Sequence, residues 1–348
     1  MSAAAEALLE RHPRDWPRWF EEHGGRAYQG RIARRQVFQR GLLDWEAMTD
    51  LPLALRRRLQ GEAPLLRSRV EAVHEAPDGA VKALLAFPGG ARVEAVAMPG
   101  TAGRTLCLST QVGCPVRCPF CASGLEGLER NLSAGEILEQ ALQLRRLQGP
   151  FQRVVVMGMG DAGFNLEATL RALEAILDPE GFGLGARRVT LSTVAPRGVL
   201  ERLAAWGRPV QVALSLHAPD DELRQRLVPG VRKRGLEETL EEADRLFRAS
   251  GREYTVEYVL LGGINDAPAQ ARRLAALLRG RRLHVNLIPW NPVAGLGYRR
   301  PARQAQETFA RILREAGLSV TLRRSLGREA EAACGQLRRR LARGPEAV

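Results

Sequence analysis

The chain has 348 residues, 45% of them hydrophobic, which is enough to fill a sizeable core and excludes wholesale disorder. No run approaches the roughly 18 consecutive apolar residues that a membrane helix needs, and the opening MSAAAEALLERHPRDWPRWFEEHGG lacks a basic-then-apolar signal pattern, so a cytoplasmic protein without a membrane partner is expected. The net charge of +13 is carried almost wholly by arginine, since Lys82 and Lys233 are the only lysines; it suits a polyanion such as RNA, although a GC-rich genome produces the same bias.

Up to about residue 61 the pattern predicts short amphipathic helices, including Ile32 to Phe38 and Trp45 to Leu59. Arg26, Arg31, Arg34 and Arg35 give this stretch a basic face, either solvated or bound to RNA. From 62 to 99 the pattern is strand-like: Val81 to Phe87 and Ala91 to Met98 flank a Pro88-Gly89-Gly90 turn. A helical accessory domain over 1–61 and a β-hairpin-like connecting segment over 62–99 therefore precede a core over 100–337, with a basic tail over 338–348.

Within the core, strand candidates at Arg104 to Leu108, Arg153 to Met157, Arg188 to Leu191, Val210 to Leu216, Tyr254 to Leu261 and Leu283 to Pro289 alternate with helical patterns such as Ser133 to Leu147 and Leu236 to Ala249. Ser133 with Glu136 reads as a capping box. The alternation predicts an α/β fold with a parallel sheet, a (β/α) barrel or partial barrel. Each apolar run passes into small or polar residues: Gly158-Met159-Gly160-Asp161, Ser192-Thr193, Ser215-Leu216-His217, Asn265-Asp266 and Asn291-Pro292. At the carboxyl ends of parallel strands such residues converge on the catalytic face.

Five cysteines in a reducing compartment argue against structural disulfides. Cys114, Cys118 and Cys121 form C-x3-C-x2-C in the loop after the first core strand. Short spacings on a Gly- and Pro-containing loop let three thiolates share one iron-sulfur cube and leave one iron open, a vacancy that S-adenosylmethionine (SAM) can chelate. A zinc site completed by Cys107 or His217 is the alternative, without a second C-x2-C to support it. Cys107 and Cys334, each taken alone, read equally well as small buried hydrophobes.

In order along the chain, Thr-Leu-Cys107-Leu-Ser-Thr-Gln-Val-Gly-Cys114, Gly158-Met-Gly160, Val189-Thr-Leu-Ser192-Thr193, Ser215-Leu-His217-Ala-Pro219, Val256-Glu-Tyr-Val259, Asn286-Leu-Ile-Pro-Trp-Asn291-Pro292 and Ala332-Ala-Cys334-Gly-Gln336-Leu resemble the RlmN/Cfr family of radical SAM adenine-methylating RNA methyltransferases. The likeness runs from about Ala27 to Leu337 and favours the RlmN branch. It implies a radical SAM (β/α) partial barrel that methylates C2 of an adenosine in 23S rRNA at the peptidyl transferase centre, and also in the tRNA anticodon loop. One SAM first methylates Cys334. A second SAM, held on a 4Fe-4S cluster by Cys114, Cys118 and Cys121, is cleaved to a radical that abstracts hydrogen from that methyl group. After addition to the base, Glu94 takes the ring proton and Cys107 attacks the Cys334 sulfur, releasing the product as a disulfide forms.

The resemblance further implies SAM contacts at Gly160, Asp161, Ser192, Ser215, Leu216, His217 and Asn291, a monomer, and an electron donor such as flavodoxin or ferredoxin. Methylation at C8, as in the Cfr-like branch, and an RNA-binding protein with a structural metal site stand as alternatives. Two departures are visible. Gly160-Asp161-Ala162 replaces the family's Gly-Glu-Pro, and Ser325-Leu-Gly-Arg-Glu-Ala-Glu331 is less acidic than its usual Arg-Gly-Asp-Asp.

Overall fold

The computed structural model describes residues 8–323 and Gln336. Three helices open it: α1 (Trp16–Glu22), α2 (Ala27–Arg35) and α3 (Leu53–Glu62). Strands β1 (Arg69–Glu75), β2 (Val81–Ala86), β3 (Arg92–Met98) and β4 (Thr105–Cys107) follow, then the ribbon strands β5 (Gln111–Gly113) and β6 (Leu128–Asn131). The rest alternates: α4 (Ala134–Gln148), β7 (Arg153–Val156), α5 (Leu166–Leu177), β8 (Val189–Thr193), α6 (Val199–Trp206), β9 (Gln211–Ser215), α7 (Asp221–Leu227), α8 (Leu236–Ser250), β10 (Tyr254–Leu260), α9 (Pro268–Leu278), β11 (Leu283–Pro289), α10 (Arg303–Glu315) and β12 (Ser319–Leu322). The Ser133 capping box opens α4, with Ser133 Oγ accepting from the Glu136 amide at 3.2 Å while the Glu136 carboxylate accepts from the Ser133 amide at 2.9 Å.

The helical lead folds around its own apolar cluster, in which Trp16, Trp19, Phe20, Phe38, Trp45 and Leu59 pack together with Leu142 of α4. The helix expected over Trp45 to Leu59 begins only at Leu53. Pro52 disfavours helical backbone at Leu51, so the residues before it form turns instead. Trp45 is buried there, and its indole N–H donates to the Ala63 carbonyl at 2.7 Å.

Ten strands form one open sheet in the order β1-β2-β3-β4-β7-β8-β9-β10-β11-β12. The three leading strands are an antiparallel meander, and β3 joins β4 through the Val96–Cys107 pair, so the 62–99 segment is continuous with the core sheet. From β4 through β12 every neighbouring pair is parallel. This is the expected α/β partial barrel, left unclosed with β1 and β12 at its two ends.

Parallel strands covered on both faces read as unbroken apolar runs. Here they alternate. In β8 Val189 and Leu191 are buried while Thr190 and Ser192 are half-buried, and in β11 Leu283, Val285 and Leu287 are buried while His284, Asn286 and Ile288 are half-buried. The buried set packs with helix residues such as Leu173, Leu274 and Phe309. The other set faces the concave side of the open sheet.

Candidate active site

The three clustered cysteines lie in the loop between β5 and β6, a two-stranded ribbon that pairs Gln111 with Asn131 and Gly113 with Leu128. Gly113 has φ +79, and a Cβ there would stand 1.9 Å from the Gly127 carbonyl oxygen. That same carbonyl accepts from the Cys114 amide at 2.9 Å. Only glycine permits so close a return of the chain. Two outside contacts fix the loop: the Trp290 indole donates to the Phe120 carbonyl at 2.8 Å, and the Gly230 amide donates to the Val116 carbonyl at 3.0 Å.

Cys114, Cys118 and Cys121 line a cavity of about 160 Å³, far more than the roughly 10–15 Å³ that a single water requires. Gly158, Gly160 and Asp161 after β7 reach it, as do Ser192 of β8, Ser215 of β9, His217 and Asn291. The carboxyl ends of the strands thus bring most of the predicted residues to one place. Ser192 Oγ and Ser215 Oγ lie 3.2 Å apart, and Asn291 Oδ1 accepts from Arg300 at 3.1 Å. Gly160 has φ +95, and a Cβ there would meet Gln111 at 2.7 Å.

His217 takes up a left-handed backbone (φ 63), unusual for a side-chain-bearing residue and the kind of strain found at functional sites. Its Nδ1 accepts from the Val259 amide at 3.2 Å, which leaves the ring proton on Nε2. Burial, with Arg224 nearby, pushes its pKa down to about 3, so the ring stays neutral. Phe120 packs edge-on against it, centroids 5.3 Å apart.

Asp161 departs from simple cofactor contact. Its Oδ1 accepts from Thr193 Oγ1 (2.7 Å) and the Gly163 amide (2.9 Å), and its Oδ2 accepts from the Val194 amide (2.7 Å). The carboxylate therefore ties the end of β7 to the end of β8. Burial pushes it up to about 6 despite those donors. The folded pKa lies above the ordinary 3.8, so this group's contribution to stability is complete below pH 3.8 and is lost as pH rises through about 6, a difference of about 3 kcal/mol. Cluster-free protein should accordingly lose melting temperature between pH 4 and pH 7 more steeply than Asp161→Asn, measured side by side by differential scanning fluorimetry. Parallel pH curves for the two proteins would refute this.

The remaining predicted residues lie elsewhere. Leu216 is fully buried, and its amide donates to the Glu257 carbonyl at 3.0 Å, so it carries backbone only. Cys107 and Glu94 stand on β4 and β3, both buried and outside the cavity lining. Cys334 lies outside the described residues. Sequence reading missed Trp290, the ribbon around the cysteines, and Glu257, a cavity-lining carboxylate held by Asn286 Nδ2 at 3.1 Å and raised in pKa by burial. Among these, Glu257, the one charged residue of β10, was the one readable signal.

Three thiols close together, Cys114 buried and Cys118 and Cys121 half-buried, are a poor store of negative charge. Burial pushes Cys114 up to about 12, and burial plus the neighbouring Cys121 and Cys114 pushes Cys118 well above its ordinary range. Such a set becomes three thiolates only against a strong cationic group, and three sulfurs on one short loop fit an iron-sulfur cube with one iron left for SAM. Among the described residues no three His, Cys, Asp or Glu side chains gather as the ligands of a single ion. The wall of hydroxyls, amides and close backbone beside the thiols fits the polar parts of SAM.

The Radical SAM superfamily profile matches residues 108–275. A crystal structure of a radical SAM methyltransferase from Sphaerobacter thermophilus superposes with TM-score 0.92 at 38% identity, covering 95% of this chain and 99% of that one. A probable dual-specificity RNA methyltransferase RlmN from Rhodopirellula baltica is 46% identical over 324 residues, covering 92% of this chain and 87% of that protein. The chain belongs to the RlmN family. Its relative of the same designation from Desulforudis audaxviator is 47% identical over 310 residues, covering 87% of this chain and 96% of that protein. Membership in the RlmN family makes the chain a radical SAM enzyme of the RNA methyltransferase class.

Proposed function

We propose that this RlmN-family chain methylates C2 of adenosine in RNA, both in 23S rRNA at the peptidyl transferase centre and in the tRNA anticodon loop, through a methyl group carried on Cys334. The carrying observation is the convergence of Cys114, Cys118 and Cys121 with Gly160, Ser192, Ser215 and Asn291 around one cavity. The three thiolates hold the 4Fe-4S cluster, which with SAM supplies a carbon-centred radical when bound. Two SAM molecules are consumed per turnover, one for Cys334 and one for the radical.

The chain's own residues do the rest. Ser192, Ser215 and the Gly160 backbone orient SAM, and Asp161 keeps that wall in register. Glu94 accepts the ring proton, and Cys107 attacks the Cys334 sulfur, forming S–S as the S–C bond to the base breaks. The freed carbon keeps that bond's electron pair and takes up a proton to become the methyl group, and the unpaired electron left by radical addition would return to the iron-sulfur centre. The helical unit over 1–61 meets the RNA. On α2 Arg31 and Arg35 are exposed beside Tyr28, with Arg26 at its cap, whereas Arg34 turns in to pair with Glu180. Flavodoxin or ferredoxin supplies the electron to a cytoplasmic monomer. Among the described residues no helix is long and apolar enough to cross a membrane.

The test is to express the chain in a host lacking its own such enzyme and to digest rRNA and tRNA to nucleosides for mass spectrometry, alongside a peptide map for methyl on Cys334. We expect 2-methyladenosine from both RNAs and a methylated Cys334 peptide. Finding 8-methyladenosine instead would move the chain to the Cfr-like branch, and an anoxically reconstituted protein that holds zinc without iron and sulfide would leave only a structural metal site.

A further inference from the structure

Of 52 Lys and Arg residues only two are lysine, and one of these, Lys82, is buried on the concave face with 5% of its surface exposed. Its Nζ stands 3.0 Å from Oε1 of Glu94, itself 3% exposed. The strand register explains the contact. Lys82 of β2 stands opposite Val96 of β3, so Glu94, two residues along, is its diagonal neighbour on the same face. Cys107 of β4 stands opposite Val96 from the other side. Three adjacent strands thus place a cation, a carboxylate and a thiol on one face. Glu94 is one step nearer the carboxyl ends of the parallel strands, where Ser109 Oγ donates to its carbonyl at 2.6 Å.

Stability alone does not account for this pair. Removing two charges from water costs several kcal/mol per ion, and an apolar pair of similar volume is often as stable or more so. Nor is arginine, the chain's default cation, used here. The ammonium is a compact point charge that fits beside one carboxylate oxygen, whereas a guanidinium fork needs a wider space.

We propose that Lys82 is a positioning residue that holds Glu94 ionised and aimed, so that it is ready as a base at neutral pH. The inference rests on the reading of Glu94 as the base given above. In that step the C–H bond of the ring carbon breaks, the proton passes to a Glu94 oxygen, and the electron pair stays with the ring. A carboxylate so buried and without its cation takes a proton from solvent first. Other titratable groups face the pair from each neighbouring element. His74 of β1 lies opposite Lys82 and is exposed, Arg92 of β3 is bound to Glu71 at 2.6 and 3.2 Å, and Cys107 belongs to β4. On α4, which packs against β3, Glu139 accepts from the Arg67 and Ser68 amides and Glu136 from Arg130. Met159, whose Sδ lies 3.4 Å from the Glu94 amide, carries no charge.

The full-length, cluster-loaded protein and its Lys82→Met, Lys82→Arg and Glu94→Gln variants would be followed through single turnovers between about pH 6 and about pH 9, reading decay of the covalent RNA adduct on denaturing gels. For Lys82→Met we expect resolution slowed about tenfold or more at neutral pH and recovered toward alkaline pH, where the buried acid without its cation ionises. Lys82→Arg keeps the positive charge beside Glu94 and, whatever it loses in rate to its bulkier head, should not show that alkaline shift. In cluster-free protein, Lys82→Met should lose melting temperature relative to wild type as pH rises through the raised carboxyl pKa, and Glu94→Gln in the same chain should abolish that slope.

Loss by one factor at every pH, no loss at all, or melting curves parallel to wild type would overturn the role of Lys82. Glu94→Gln resolving its adduct at the wild-type rate overturns the reading of Glu94 as base instead. The two failures are therefore told apart.

Discussion

Alanine in place of Cys107 is expected to trap RNA covalently on the protein. In the proposed route the adduct forms through Cys334, and release needs a second thiolate to displace it. Cys107, the thiol proposed for this, stands on β4, where it is 7% exposed and paired with Val96 on one side and Val155 on the other. Removing one sulfur from such a site costs about 1–2 kcal/mol of packing, too little to unfold the chain. Methylated nucleoside should fall by about 100-fold or more while the cluster stays loaded. Incubation with SAM, reductant and RNA should yield a band that survives denaturation and maps by peptide mass spectrometry to Cys334. Recovery of free RNA alone from iron-replete Cys107→Ala would remove the resolving role.

Gly113→Ala should cost the protein its iron. The added methyl would stand 1.9 Å from the backbone oxygen of Gly127, and the φ of +79 is itself unfavourable for alanine. Together these disturb the ribbon by at least about 3 kcal/mol, enough to break the Cys114–Gly127 hydrogen bond that holds the first of the three proposed ligands. Iron per chain after anoxic reconstitution should fall well below wild type. The fold persists, because the clash falls on a two-stranded ribbon separate from the ten-stranded sheet. Full iron loading in Gly113→Ala, with an unchanged visible spectrum, would show that the clamp does not position the cysteines. Gly61→Ala is a fitting control, since a Cβ there meets nothing within 4 Å.

Much of this architecture was readable from spacing. β11 has the expected bounds, Leu283 to Pro289, and β7 to β10 agree to within a few residues, because each is a compact apolar run between turn signals. The ribbon of β5 and β6 escaped notice because its strands are three and four residues long, with no apolar alternation in Leu128–Asn131. For the site, small and polar residues at strand ends pointed to one mouth, and of these Ser192, Ser215, His217 and Asn291 line one cavity while Thr193, Asn265 and Asp266 do not.

What spacing could not give was allocation. Nothing local in Asp161 tells that its oxygens are taken by Thr193 and Val194, more than thirty residues away along the chain. Nor does Lys82 announce Glu94 as its partner, since the pairing depends on which residues oppose each other across β2 and β3. Long-range hydrogen bonds of this kind follow from register, and register is set by the assembled sheet.

The short ring that Asp161 closes onto the Gly163 amide means that a change at either position is felt at the other. A Cβ on Gly163 would meet Thr193 Oγ1 at 2.5 Å and Asp161 Oδ1 at 3.0 Å, so a bulkier neighbour would evict the very oxygen that the shorter acid supplies. Restoring glutamate alone would leave an overlong arm in a niche cut for aspartate. Exchange toward the Gly-Glu-Pro version therefore touches the contacts of Gly163 and Thr193 as well as the acid itself.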